Sequence, residues 1–113
     1  MHYSKSDAKA HAMANMKGIW AAALMPFTED LRIDEDGFRE NVRHWTQDLG
    51  IEGLFITGKQ GEFFSMTVDE RKRSFDLAVE ATGDHGQTIM SCSDQNMDVV
   101  LDLAHHAQEN GAD

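Results

Sequence analysis

The chain has 113 residues, 41% of them apolar, which suits one domain of ordinary size with a packed core. Its 20 acidic and 10 basic side chains leave a net charge of −10, the wrong sign for gripping a phosphate backbone, so no nucleic-acid partner is expected. No apolar run approaches the roughly 20 residues of a membrane span.

The start, Met1-His2-Tyr3-Ser4-Lys5, lacks the apolar centre of a secretory signal. Cys92 is the only cysteine, so there is no disulfide framework and no cysteine cluster for zinc. A cytoplasmic location is the expectation. Residues 1–16 are polar and rich in Ala and Met, with weak helical spacing at Ala8, Ala12 and Met16. They read as an arm or short helix ahead of a domain at 17–113.

Gly18 to Met25 is nearly all apolar and is closed by Pro26, the pattern of a strand buried on both faces. Asp34 then suits a helix N-cap, with Ile33 and Phe38 at the two positions of a hydrophobic staple. Phe38, Val42, Trp45 and Leu49 recur on one helical face, and Gly50 stands where a left-handed C-terminal glycine belongs. The cycle repeats. Gly53 to Gly58 is a second strand, and Thr67-Val68-Asp69-Glu70 is a capping box opening a helix to Ala81 or Thr82. Phe75, Ala78 and Val79 face inward, and Gly83 ends the helix. Arg71-Lys72-Arg73 reads as its solvated face. Gln87 to Cys92 is a third strand. Asn96 caps a third helix with Val100, Leu103, Ala104 and Ala107 inward, and Gly111 closes it.

Strand and helix alternating at this period indicate βαβ units and a parallel sheet. Periodicity alone does not separate half of a doubly wound sheet from the start of a closed barrel. Strand one is followed by Pro26-Phe27-Thr28-Glu29-Asp30, without the Gly-x-Gly-x-x-Gly of a dinucleotide fold, which disfavours a nucleotide fold and leaves the barrel open.

The most informative segment is the second strand and its exit, Gly53 to Glu62. Gly58 and Gly61 give the loop backbone freedom, and Glu62 follows at the end where parallel strands present catalytic groups. Such a loop can aim several N–H groups at an anion, and a carboxylate would suit it. The alternative is a tight turn whose glycines serve geometry alone.

Taken with Gly18–Met25, Pro26-Phe27, Thr67-x-x-Glu70-Arg71 and Leu103-Ala104-x-x-Ala107-x-x-x-Gly111-Ala112-Asp113, the loop Gly58-x-x-Gly61-Glu62 resembles one family over residues 17–113. It is the dihydrodipicolinate synthase / N-acetylneuraminate lyase family of class I aldolase-type enzymes. The resemblance implies the first three βα units of a (β/α)₈ barrel, α/β in class and incomplete in this chain. It implies a homo-oligomer, often a tetramer, acting on pyruvate or another 2-keto acid without metal or organic cofactor. Family chemistry runs through a Schiff base on a sixth-strand lysine, with a fifth-strand tyrosine moving protons. Both strands lie outside this chain, which therefore holds no catalytic residue. By the same resemblance, Gly58, Lys59, Gln60, Gly61 and Glu62 bind the keto-acid carboxylate.

Two departures mark a divergent member. Lys59-Gln60 replaces a pair of hydroxyl residues, and Met25 stands where Thr is common before Pro26. Aldol cleavage, condensation, dehydration and decarboxylation all stay open. Lys59 either pairs with a substrate carboxylate as a cation or points away, leaving Gln60 and backbone to bind. A Schiff base on Lys59 itself is disfavoured, because an unburied lysine is protonated and a poor nucleophile. Tyr3 lies ahead of strand one and does not match the family tyrosine.

His105 and Glu109 share one helical turn but lack the further ligands of a metal site, so no metal is expected. His44 and His85 read as surface residues, Cys92 as a small buried one, and Trp20 and Trp45 as packing. Ser91 and Ser93 are placed for substrate contact, and Phe63-Phe64 for packing at the barrel mouth or between subunits. The competing functional reading is a non-catalytic half-barrel that persists by associating with another chain, since three βα units leave two open sheet edges.

Overall fold

The computed structural model describes residues 3–113, and its framework is a three-stranded parallel sheet in the order β1-β2-β3. The strands are β1 (Trp20–Ala22), β2 (Gly53–Ile56) and β3 (Gln87–Met90). Helix α1 (Ala8–Asn15) precedes the sheet, α2 (Glu35–Arg43) and α3 (Val68–Thr82) cross between strands, and α4 (Met97–Glu109) follows.

The register explains which face is covered. Ala21, Leu54 and Thr88 form one cross-strand row, and Leu54 and Thr88 are buried beneath the helices. The adjacent row, Ala22, Phe55 and Ile89, points to the other side and is covered only in part. The core therefore lies on one face, where Leu54 and Ile56 meet Phe38, Val42, Phe75, Ala78 and Leu103.

The helix ends follow local chemistry. Asp34 accepts from the Gly37 N–H at 3.0 Å, and Thr67 and Glu70 form the reciprocal capping box. Asn96 accepts from the Asp98 N–H. Gly50, Gly83 and Gly111 all take positive φ, as expected of residues that end helices.

Four expectations give way to tertiary context. Strand one pairs only over Trp20–Ala22, extended by an Ala23 N–H to Phe55 carbonyl bond, because loops take over the backbone beyond it. Helix α2 widens into a π turn at His44–Asp48, which carries Leu49 out to 60% exposure and buries Thr46 in the inward place. The Thr46 hydroxyl donates to the Val42 carbonyl there. On α4 the inward stripe is Val99, Leu103 and Ala107, while Ala104 is exposed. Helix α3 packs against both α2 and α4, so it buries Ser74 and Leu77 as well as Phe75 and Ala78, with Val79 half-buried. Arg71 is buried too and is not part of a solvated face. Arg73, two residues on, is exposed as expected.

Arg73 holds Glu35 with two hydrogen bonds, of 2.9 and 2.6 Å, tying α3 to the first turn of α2. That guanidinium, aided by Arg39 and opposed by desolvation, lowers the Glu35 pKa. A depressed carboxylate stabilises the fold above the unfolded-state pKa, and the contribution is lost as pH falls through the folded value. Glu35→Gln should thus lower Tm slightly at neutral pH, with the gap to the parent closing in acid. A gap independent of pH would show that the charge is not what matters. Thr67→Ala, which removes the hydroxyl of the capping box, should cost about 1 kcal/mol in urea denaturation.

Candidate functional site at the carboxyl ends of the strands

Because the strands run parallel, their exit loops gather at one end of the sheet. The exit of β2 is the segment that the sequence singles out. It begins at Thr57, which is buried and left-handed at φ 54°, a costly backbone for a β-branched residue. The chain then turns tightly. The Gly61 N–H donates to the Gly58 carbonyl at 3.1 Å, and the Glu62 N–H to the Lys59 carbonyl at 3.0 Å. Glu62 is also left-handed, at φ 56°, and leads into a short 3₁₀ turn at Phe63–Ser65.

Both glycines are required by close approach. A Cβ on Gly61 would stand 2.9 Å from the Ala23 carbonyl oxygen, so this turn presses on the end of β1. A Cβ on Gly58 would collide with the Phe55 ring. The two glycines are buried, whereas Lys59, Gln60 and Glu62 are exposed at the crest. Among the described residues, no acceptor takes the Lys59 or Gln60 N–H. The turn therefore presents two backbone donors beside one ammonium and one carboxamide, with the Glu62 carboxylate at its far side.

Arg71 supports this loop from beneath. Its side chain is 2% exposed, its Nη2 donates to the Ser91 carbonyl at 3.0 Å, and its Nη1 reaches Asp94 at 3.4 Å. The guanidinium also lies 4.9 Å over the Phe63 ring. The Ser91 carbonyl accepts a second bond, from the Thr57 hydroxyl at 3.2 Å. One carbonyl thus joins the exits of β2 and β3 to helix α3. Burial pushes the Arg71 pKa down, with Asp94 and Cys92 acting against it. Beside these groups, Phe64, Met66, Val68, Ser93 and Gln95 help line a cleft of about 550 Å³.

The other candidates separate clearly. Ser91 is buried with its hydroxyl donating to exposed Ser93 at 3.3 Å, so both do stand at this end. Cys92 is half-buried, and desolvation raises its thiol pKa while Arg71 opposes the rise, which keeps it a poor nucleophile. Phe63 packs under Arg71, while Phe64 is 69% exposed and meets Phe63 edge-on. His105 and Glu109 are exposed and gather no partners among the described residues; His106 instead pairs with Asp76 at 2.7 Å. Among the described residues, no three His, Cys, Asp or Glu side chains converge to hold a metal. His44 pairs with Asp48 on the surface, and His85 is exposed. Tyr3 stacks on His11, which also meets Asn15 at 3.3 Å and Asp113, beside Thr88 in β3, at 3.7 Å.

Sequence reasoning missed Arg71, Thr57 and Asp94. For Arg71 a signal was present: it precedes Phe75 by one helical turn, on the inward face, but its basic neighbours suggested solvent.

The scaffold is thus a parallel α/β sheet, helix-covered on one face, with a glycine-pinned polar turn at its carboxyl end. The chain belongs to the dihydrodipicolinate synthetase family, whose sequence profile matches residues 15–113. An N-acetylneuraminate lyase from Histophilus somni is 37% identical over 101 residues, covering 89% of this chain and 35% of the relative. The crystal structure of N-acetylneuraminate lyase from Mycoplasma synoviae superposes with a TM-score of 0.85 at 28% identity, covering 89% of this chain and 35% of that one. A prophage protein of the same family from E. coli K12, solved in complex with pyruvate, gives 0.78 at 28% identity over 85% of this chain and 32% of its own. The chain spans about a third of the length of these relatives.

Replacing Arg71 would leave the Ser91 carbonyl with the Thr57 hydroxyl alone and remove the cation facing Asp94. Arg71→Met should cost about 2–3 kcal/mol in stability, while Arg73→Met, at an exposed pair, should cost under about 1 kcal/mol. Chemical denaturation of the two variants side by side checks the contrast.

Proposed function

We propose that the full-length protein is a lyase or aldolase that acts on pyruvate or another 2-keto acid through a Schiff base. The lysine and tyrosine of that chemistry lie outside this chain. Residues 17–113 form the opening part of a (β/α)₈ barrel domain, with residues 1–16 as its arm, and the parent enzyme is a cytoplasmic homo-oligomer. Attack of the lysine amine on the keto carbon, with loss of water, gives an iminium. Its electron demand stabilises the adjacent carbanion, so a C–C bond can be made or broken without metal or organic cofactor.

The observation that carries this reading is the Gly58–Glu62 turn. Its Lys59 and Gln60 N–H groups have no acceptor among the described residues, and Gly61 seats the turn against the end of β1. Two fixed amide donors suit the two oxygens of a carboxylate, and they need no rearrangement when the ligand arrives. The Lys59 ammonium adds a point charge at the same crest. The pyruvate complex of the E. coli relative supports a keto acid as substrate class.

Borohydride reduction of the full-length protein with pyruvate should leave a covalent mass adduct. Absence of the adduct, under conditions that trap a known Schiff-base aldolase, would remove Schiff-base chemistry. Lys59→Thr should weaken apparent pyruvate affinity about two- to fivefold, the scale of an exposed ion pair. Unchanged affinity would leave the carboxylate to the backbone donors and Gln60. The partly covered row Ala22, Phe55 and Ile89 favours, as a second reading, a chain that works by associating with another. Stable assembly without any adduct would select it.

A further inference from the structure

One buried side chain reaches both ends of the Gly58–Glu62 turn. Thr57, immediately before the turn, and Arg71 donate to the same Ser91 carbonyl, the hydroxyl at 3.2 Å and Nη2 at 3.0 Å. Phe63, immediately after it, lies with its ring 4.9 Å from the same guanidinium and gives its backbone N–H to the Gly58 carbonyl at 3.4 Å. A single planar group thus sets the two points between which the turn is strung. Lys59 and Gln60 are exposed, so the direction of their amides follows from those points and from the seat of Gly61 on Ala23.

Stability alone does not account for a cation here. Arg71 is 2% exposed, its Nη1 contact with Asp94 is long at 3.4 Å, and its Nε is buried with no hydrogen-bond partner among the described residues. An incompletely bonded buried cation is costly, and an apolar side chain of similar volume often serves a fold as well or better. What an apolar residue does not do is bond the Ser91 carbonyl, which carries the constraint to Thr57. Thr57 needs that constraint, because φ 54° is unfavourable for a β-branched residue.

We infer that Arg71 is a positioning residue for the keto-acid carboxylate, acting through the Ser91 carbonyl and the Phe63 ring to aim the Lys59 and Gln60 N–H groups. Thr57 is the relay on the strand side. The inference rests on the proposed reading of the turn as the carboxylate site. Misplacing fixed donors weakens their hold on a ligand while the reacting groups, which lie on other strands, stay intact. The effect therefore falls on affinity and spares the yield at saturation.

The test measures pyruvate binding to the full-length protein by calorimetry, beside borohydride trapping over graded pyruvate concentrations. Arg71→Lys keeps the charge but loses the planar fork, and should weaken pyruvate binding about five- to tenfold with the saturating adduct yield at the parent's level. Thr57→Val should act the same way, and Thr57→Ser, which keeps the hydroxyl, should restore the parent affinity. Arg73→Met, at an exposed position of the same helix, should leave affinity unchanged. Melting curves give the folded fraction of each variant. Unchanged affinity in folded Arg71→Lys and Thr57→Val overturns the inference. So does a loss confined to the saturating yield in step with the folded fraction, or failure of both variants to fold. A parent that binds pyruvate without an adduct removes Schiff-base chemistry and still lets the affinity ratios decide on Arg71. A parent that does not bind pyruvate removes both.

Discussion

A buried guanidinium demands partners, and at Arg71 those partners are what hold the exit loops together. The side chain rises from the first turns of α3, so its position follows from the capping box that starts that helix. Its length then lets it reach across to the exit of β3 and bond the Ser91 carbonyl, which also receives the Thr57 hydroxyl. Desolvating the cation is costly, and the carbonyl, Asp94 and the Phe63 face offset that cost only together. The arrangement is therefore all-or-none. With it in place, the unfavourable left-handed backbone of Thr57 is over-determined by its surroundings, and the Gly58–Glu62 turn starts from a fixed point.

From that fixed point the turn becomes a rigid presenter of polar groups. Gly61 lies too close to the Ala23 carbonyl for a side chain, and internal hydrogen bonds consume the N–H groups of Gly61 and Glu62. Among the amides left over are those of Lys59 and Gln60 at the exposed crest. In the proposed reading Lys59 and Gln60 would act through backbone N–H groups as well as through side chains. The same glycines serve both readings of the motif, geometry and binding, because the geometry is what exposes the donors.

The parts legible in the sequence are those fixed within a few residues. The caps at Asp34, Thr67 and Asn96 and the left-handed glycines at Gly50, Gly83 and Gly111 follow from local hydrogen bonding and local sterics. The tight turn at Gly58–Glu62 was legible because glycines at a strand exit mark close backbone approach. Leu49 and Ala104 were misplaced for one reason: an ideal helical period ignores what the neighbouring element leaves room for. The π turn after α2 changes the phase by a fraction of a turn, and α4 settles on α3 along Val99 rather than Val100. Arg71 was hidden because charge type suggests solvent, whereas a distant carbonyl made burial tolerable.

Each strand pairs with the next in sequence, Trp20 with Gly53 and Gly53 with Gln87, and every connection is a helix that packs on its neighbour. Contacts are thus assembled over modest loop lengths, one unit on its predecessor, in the direction in which a ribosome releases the chain. The first helix-covered face can close before later segments are made. The other face, with Ala22, Phe55 and Ile89, has no such early cover. During synthesis it is the surface that a chaperone would meet, and its small Ala22 keeps that apolar strip narrow.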